Sequence, residues 1–392
     1  MFYELAAPSW GQEEIDALQA VIASGRYTMG ERVAAMEAAF AAYHGKKYGV
    51  MVNSGSSANL ICVAAMAYHS KRPLARGDEV IVPAISWSTT YHPLQQYGLK
   101  CRFVDVELET LNMDVVKLEQ ALTPKTKALL AVSILGNPAR LDEMRAFCDR
   151  HGLWFMEDNC ESMDAVLPSG RKAGTLGDLS TFSFFFSHHI STMEGGMVLT
   201  DDLELFHLLK CMRAHGWTRD LPADSPLYKR AGSDHFEAYR FLFPGYNVRP
   251  LEMEAAVGLE QLKKLPAMTA ARRRNLALFQ KLFAGDPNFI IQKEHGQSSS
   301  FCFTLILNPA KDLDRERIFA ALKAADIGFR IITGGCFLRH DTIKYYDYDI
   351  VGGAVPNADL AHDRGFFVGN HPHDLTPQIE QLRRVLDAAV RG

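Results

Sequence analysis

The sequence predicts an α/β fold: a large domain with a mostly parallel seven-stranded sheet flanked by helices, followed by a smaller C-terminal α+β domain. Seven short β-branched or aromatic runs recur through the first half, at 48–52, 79–82, 101–104, 129–134, 153–156, 180–186 and 197–200. Runs so short and so apolar suit strands covered on both faces. Helix-compatible segments at 57–68, 115–122 and 141–151 alternate with them, as crossovers in a parallel sheet require. Beyond about residue 250 the texture becomes helix-rich, with helices expected at 251–262, 268–283, 315–324 and 377–390 and a strand at 301–307. The boundary is therefore placed between 1–250 and 251–392. The stretch 218–243 mixes charge, Pro, Gly and aromatics without periodicity and is expected to be a long loop.

Composition excludes several classes. At ~150 residues per domain, 392 residues amount to two or three domains with a substantial core. Lys and Arg total 42 against 46 Asp and Glu, a formal charge of −4, which argues against a nucleic-acid partner. No basic residue precedes Arg26, and the most apolar run, 128–135, is far short of the ~20 residues a membrane helix needs. The seven cysteines are dispersed and never closer than twelve positions, so neither a disulfide framework nor a zinc or iron–sulfur spacing is present. A soluble protein of the reducing cytoplasm, without metal, is expected.

Three segments could carry chemistry. Asn53-Ser54-Gly55-Ser56-Ser57-Ala58-Asn59 stands where a strand ends and a helix begins; small residues and open N–H groups there suit either a phosphate or a plain helix cap. Glu157-Asp158-Asn159-Cys160-Glu161 follows an apolar strand, at the sheet edge where α/β proteins bind ligands. Asp158 there could hold a protonated ring nitrogen or cap the next helix. Ser183-Phe184-Phe185-Phe186-Ser187-His188-His189 leads into Glu194-Gly195-Gly196; a histidine here is placed for proton transfer near neutral pH or is a surface loop residue. With Trp87 supplying a flat face, the three together make the parts of a site for a phosphorylated aromatic ring.

On these motifs, and on Gly245-Tyr246-Asn247-Val248-Arg249, the chain resembles the nucleotide-sugar aminotransferase family of fold-type I pyridoxal-phosphate (PLP) enzymes over essentially its whole length. The resemblance implies that residues 1–250 bind PLP, with Gly55, Ser56, Ser57 and Ser183 at the phosphate. It also implies that Trp87 stacks on the ring, Asp158 pairs with the pyridine nitrogen, Glu161 supports the cofactor, and Asn247 reaches the phosphate of the neighbouring subunit in a homodimer. Where the family carries its Schiff-base lysine this chain has His188, and no lysine lies between Lys172 and Lys210.

Imidazole cannot form that linkage, and the substitution resembles the deoxysugar 3-dehydratase branch, as do PAISWSTTYHPLQQYGL, SHHISTMEGG and RAHGWTRDLP. That branch implies PLP in its pyridoxamine form (PMP), His188 as the acid/base group, and L-glutamate as amino donor. The substrate would be a nucleotide-linked 4-keto-6-deoxy sugar, expected to be GDP-linked, deoxygenated at C3 with release of ammonia for colitose-type lipopolysaccharide O-antigen synthesis. His215 and Arg219 are candidates to orient the substrate. The related CDP-sugar dehydrases carry an iron–sulfur cluster, a pattern this chain lacks. The alternatives are a nucleotide-sugar 4-aminotransferase and a non-catalytic PLP-binding sensor.

Overall fold

A computed structural model describes residues 2–230 and 232–391. All seven runs are strands: β1 (Tyr48–Val52), β2 (Glu79–Pro83), β3 (Lys100–Val104), β4 (Thr126–Val132), β5 (Trp154–Asp158), β6 (Leu179–Ser183) and β7 (Gly196–Thr200). Five more follow: β8 (Phe289–Ile291), β9 (Cys302–Leu307), β10 (Phe329–Arg330), β11 (Tyr348–Ile350) and β12 (Gly365–Gly369). The helices used below are α1 (Gln12–Ser24), α2 (Glu31–His44), α3 (Gly55–Ala67), α4 (Ser88–Gln96), α5 (Leu141–His151), α6 (Leu203–Arg213), α7 (Asp234–Glu237), α8 (Glu252–Phe283), α9 (Arg315–Ala324), α10 (Pro356–Arg364) and α11 (Thr376–Arg391).

The large sheet has the order β1-β7-β6-β5-β4-β2-β3-β11. The seven expected strands thus gain an eighth, β11, which the later part of the chain adds in parallel to β3. Strands β3, β2, β4, β5 and β6 are parallel. Strand β7 is antiparallel to both its neighbours, β6 and β1, so β1 runs with the parallel set. The ends of β1, β2, β5 and β6 therefore open on one edge, which is where a ligand site forms in such sheets. Every position of β2, β5, β6 and β7 is buried, which suits their apolar stretches, and the polar residues among them, such as Asp158 and Thr181, are hydrogen-bonded.

A second, antiparallel sheet, β10-β12-β9-β8, packs against α9, α11 and the end of α8. Its core includes Phe279, Phe283, Phe303 and Phe366. Helix α11 supplies Ile379, Leu382, Leu386 and Ala389, one stripe at helical spacing. The start of the chain joins this smaller unit: the Tyr3 hydroxyl donates to the Gly369 carbonyl at 2.5 Å, and Tyr3 is bridged to Ile327.

Two expected elements differ. The helices at 251–262 and 268–283 are one 32-residue helix, α8, continuous through Pro266. Proline removes a hydrogen bond and crowds the preceding turn, but Leu262, Leu265, Met268 and Thr269 around it are buried against the core, and tertiary packing outweighs local preference. The 115–122 segment forms two short 3-10 turns, Val115–Lys117 and Glu119–Ala121. Thr123 precedes Pro124, a position pushed out of the α region, so a full helix has no room to continue.

Helix α8 also fixes α2. The buried Glu252 carboxylate accepts from the amides of Gly30 (2.7 Å), Arg32 (2.9 Å) and Val33 (3.0 Å), capping a helix whose own N-cap, Gly30, has no side chain to offer. Replacing Glu252 with Ala leaves three amides unpartnered, and we expect a loss of ~2 kcal/mol in stability. A urea midpoint unchanged from the parent chain would contradict this assignment.

Candidate active site

The β1–α3 turn is built for close approach. Ser54 caps α3, its Oγ accepting from the Ser57 amide at 3.0 Å and donating to the Ser57 hydroxyl at 3.0 Å. A Cβ on Gly55 would stand 2.7 Å from Ser183 Cβ and 2.8 Å from Cys160 Sγ, and one on Gly196 only 2.4 Å from the Ser54 carbonyl oxygen. Glycine alone lets the turn, β6 and β7 meet here. Ser57's amide is already engaged by its own cap, so Gly55 and Ser56 offer the open first-turn amides. Ser56 shares a hydrogen bond with Thr89 at 2.8 Å, and Asn53 Oδ1 is buried with no partner. Ser183, at the end of β6, accepts from the Phe185 amide at 3.3 Å.

Asp158 ends β5 beside this turn, and its two oxygens are held separately. Oδ2 accepts from Asn59 Nδ2 (2.9 Å) and Thr90 Oγ1 (2.8 Å); Oδ1 accepts from the Cys160 amide (3.1 Å). Thr181 Oγ1 donates to Asn59 Oδ1 (2.7 Å), which orients the amide. Because Thr90 donates to Asp158, it accepts from Ser86 (2.8 Å). A buried carboxylate so bonded has a fixed direction.

Glu157 is structural: it accepts from the amides of Gly174 and Leu176 at 2.7 Å each and from Gly177, closing the turn before β6. Glu161 accepts from the Leu135 amide at 2.8 Å. Burial raises its carboxyl to about 7, with the charge of Asp158 adding and the Leu135 amide opposing. Trp87, the N-cap residue of α4, three positions before Thr90, is 57% exposed.

His188 follows β6 on the loop to β7. Its ring meets Phe301 edge-on at 5.2 Å and Phe185 at 6.0 Å, with Ser187 Oγ 3.5 Å from Nδ1. Burial holds its pKa down to about 4, the Arg272 charge adds to this, and the Phe185 carbonyl opposes it. This sets the ring below the near-neutral range expected of it for proton transfer, and its half-enclosed position keeps it neutral at pH 7. His189 is buried; its Nε2 lies 3.2 Å from the Ser299 carbonyl and therefore carries the proton, leaving Nδ1 unprotonated and without a partner.

The remaining expected residues lie apart from this cluster. Asn247 is exposed, accepting from Arg249 Nε at 3.0 Å. His215, exposed, has a left-handed backbone (φ 62°) and its amide donates to the Tyr246 carbonyl at 2.6 Å. Arg219 lies over the Trp217 ring at 5.1 Å. The strip that carries Asn247 is tied to the cradle through the main chain, the Asn53 amide donating to the Val248 carbonyl at 3.1 Å. Sequence reading gave no role to Asn59, Thr90, Thr181 or Arg272. A polar Asn beside the apolar run that fills the rest of α3 was a visible signal for the first of these.

The described residues contain no helix long and apolar enough to cross a membrane. The chain matches the family model of the DegT/DnrJ/EryC1/StrS aminotransferase family over residues 8–389. It is 50% identical over 386 residues, 98% of either chain, to the GDP-4-keto-6-deoxy-D-mannose 3-dehydratase of Yersinia pseudotuberculosis. The Escherichia coli GDP-4-keto-6-deoxy-D-mannose-3-dehydratase with bound hydrated PLP superposes with a TM-score of 0.95 at 47% identity, covering 98% of this chain and 99% of that one. A GDP-4-keto-6-deoxymannose-3-dehydratase structure with a trapped PLP-glutamate geminal diamine also superposes at 0.95 and 47%, covering 98% and 100%.

The neutral state of His188 is directly measurable. In the cofactor-free protein, histidine NMR should place its titration midpoint near 4, so that its ring is uncharged at pH 6. A midpoint at the ordinary value of about 6.5 would show that the pocket does not hold the ring neutral.

Proposed function

Because this chain belongs to the DegT/DnrJ/EryC1/StrS aminotransferase family, we propose that it is a PLP-dependent 3-dehydratase of a GDP-linked 4-keto-6-deoxy sugar. The observation that carries the reading is a neutral histidine, His188, on the loop where a Schiff-base lysine would stand, after a strand whose last residue, Ser183, meets the Gly55 turn, and the residues around that turn suit PLP. The fit has three parts. The Gly55 cradle excludes any side chain and aims first-turn amides outward, suiting a phosphate. Asp158 is a fixed carboxylate suited to a pyridinium N–H. Trp87 offers its open face to a ring.

Gly55, Ser56, Ser57 and Ser183 would hold the phosphate, Trp87 the ring, and Asp158 its nitrogen, with Glu161 behind Asp158. When bound, the pyridoxamine form supplies an amine for the 4-keto carbon and a protonated ring that serves as electron sink while the C3–O bond breaks. Asp158 keeps that ring nitrogen protonated. His188, neutral at rest, takes the proton from the cofactor's C4′. Hydroxide leaves poorly, and the imidazolium so formed is an acid strong enough to give the departing C3 oxygen a proton. One ring thus acts as base and then as acid, on one loop, and no external redox protein is needed, because the two electrons would come from the pyridoxamine form that the amino donor regenerates.

L-Glutamate would restore the amine, in keeping with the PLP-glutamate adduct of the relative. Asn247, His215 and Arg219, exposed on a single chain, would complete the site of a second subunit in a homodimer, and the seven unpaired cysteines suit the cytoplasm.

The test is mass spectrometry with an ammonia assay on protein supplied with PLP, L-glutamate and GDP-4-keto-6-deoxy-D-mannose. The expected product lacks the 3-oxygen and carries no new nitrogen; an amino sugar that keeps the oxygen would make the chain an aminotransferase. His188→Asn should retain the cofactor's absorbance and lose dehydration by ~10²-fold or more. Near-parental turnover in that variant removes histidine from the chemistry.

A further inference from the structure

Arg272 lies near the middle of α8, only 4% exposed, and no carboxylate is among the groups that support its charge. Its Nη1 donates to two main-chain carbonyls, Phe301 at 3.3 Å and Asn370, and its Nε is buried without a partner. Asn370 closes the knot: its Nδ2 donates back to the carbonyls of Arg272 (3.0 Å) and Ser300 (3.1 Å). A guanidinium buried away from any anion is costly to keep, and its place in the fold points to what it serves.

Two routes run from it to His188. One is mechanical: Phe301, whose carbonyl Arg272 holds, sets its ring edge against the His188 ring. The other is electrostatic: the guanidinium charge opposes protonation of both His188 and His189. The other titratable groups nearby are His189 on the same loop, Arg273 on α8, which acts on His189, His371, which Arg272 also acts on, and Cys302, which feels both Glu161 and Arg272. Arg272 is the charged side chain that bears on His188.

We propose that Arg272 is a positioning residue for the dehydration: it clamps Phe301 against the His188 ring and fixes a positive charge beside it. His188 then waits as a free base and, once protonated, gives the proton up readily to the leaving oxygen. The inference rests on His188 being the base, but its first test does not. In cofactor-free Arg272→Met the His188 NMR midpoint should rise by about one pH unit, while Arg272→Lys should hold it near the parental value. In the PLP-loaded enzyme Arg272→Met should keep its cofactor spectrum and KM, lose kcat about tenfold, and show its acid limb displaced upward.

An unmoved His188 midpoint overturns the proposal. So does a kcat loss that tracks the unfolding midpoint and that Arg272→Lys does not relieve. Should Arg272→Met fail to fold, Phe301→Leu tests the clamp: kcat should fall with KM steady, and an unchanged kcat overturns it. Turnover surviving in His188→Asn would instead sink the reading of His188 as base and leave the titration result standing.

Discussion

The Asp158 carboxylate is the constraint around which the site is arranged. A charge buried this deeply is tolerated only when its lone pairs are met. Asn59 from α3, Thr90 from α4 and the Cys160 amide from its own loop meet them, while Thr181 from β6 fixes the Asn59 amide. Four segments that are far apart in the chain are therefore registered on one anion. The same registration brings the α3 N-terminus against Ser183, and the Ser56–Thr89 bond ties it to the start of α4. A hydrophobic residue at 158 would remove the reason for Asn59 and Thr90 to point inward, and the edge of the sheet would lose its shape along with its charge.

The smaller sheet contributes to the site through α8. Its first turn caps α2 through Glu252, its middle holds Phe301 and Asn370 through Arg272, and its last turns fill the second core with Phe279 and Phe283. One rod of 32 residues, about 48 Å long, spans both sheets. The wall opposite the His188 loop is made by the 298–301 segment, tied on one side to Gly136 (Ser299 amide, 2.9 Å) and on the other to Arg272. The C-terminal part of the chain thus shapes the pocket without supplying any of the cradle residues.

Much of this was legible in the sequence, for a physical reason. Strands covered by helices are rich in apolar, β-branched and aromatic residues, so all seven could be read as runs, and the turn chemistry of SGSSAN is local. The Asn59–Asp158 and Thr90–Asp158 bonds join residues 99 and 68 positions apart, and no local pattern encodes such partners. Strand β11 has only three residues and joins the sheet from the far end of the chain. Pro266 misled for the opposite reason: its local signal is strong, and burial on either side overrides it. Arg272 reads in sequence as one of three consecutive arginines; only folding separates it from its neighbours.

Exchanging lysine for histidine on the loop after β6 changes what the surroundings must do. A lysine there would need to lose its proton to become a nucleophile, and a positive neighbour would help. A histidine is already close to neutral, so the same neighbour and the same enclosure act on its acid strength instead. Burial and Arg272 lower the pKa to about 4, which weakens the ring as a base but makes its protonated form a stronger acid than an ordinary imidazolium. That balance suits a reaction whose second half expels hydroxide, where proton delivery is the harder task. The aromatic walls, Phe185 and Phe301, leave the ring little freedom to turn away between the two steps. Weak basicity is then offset by proximity, since a base held next to its proton gains effective concentration that a mobile one lacks.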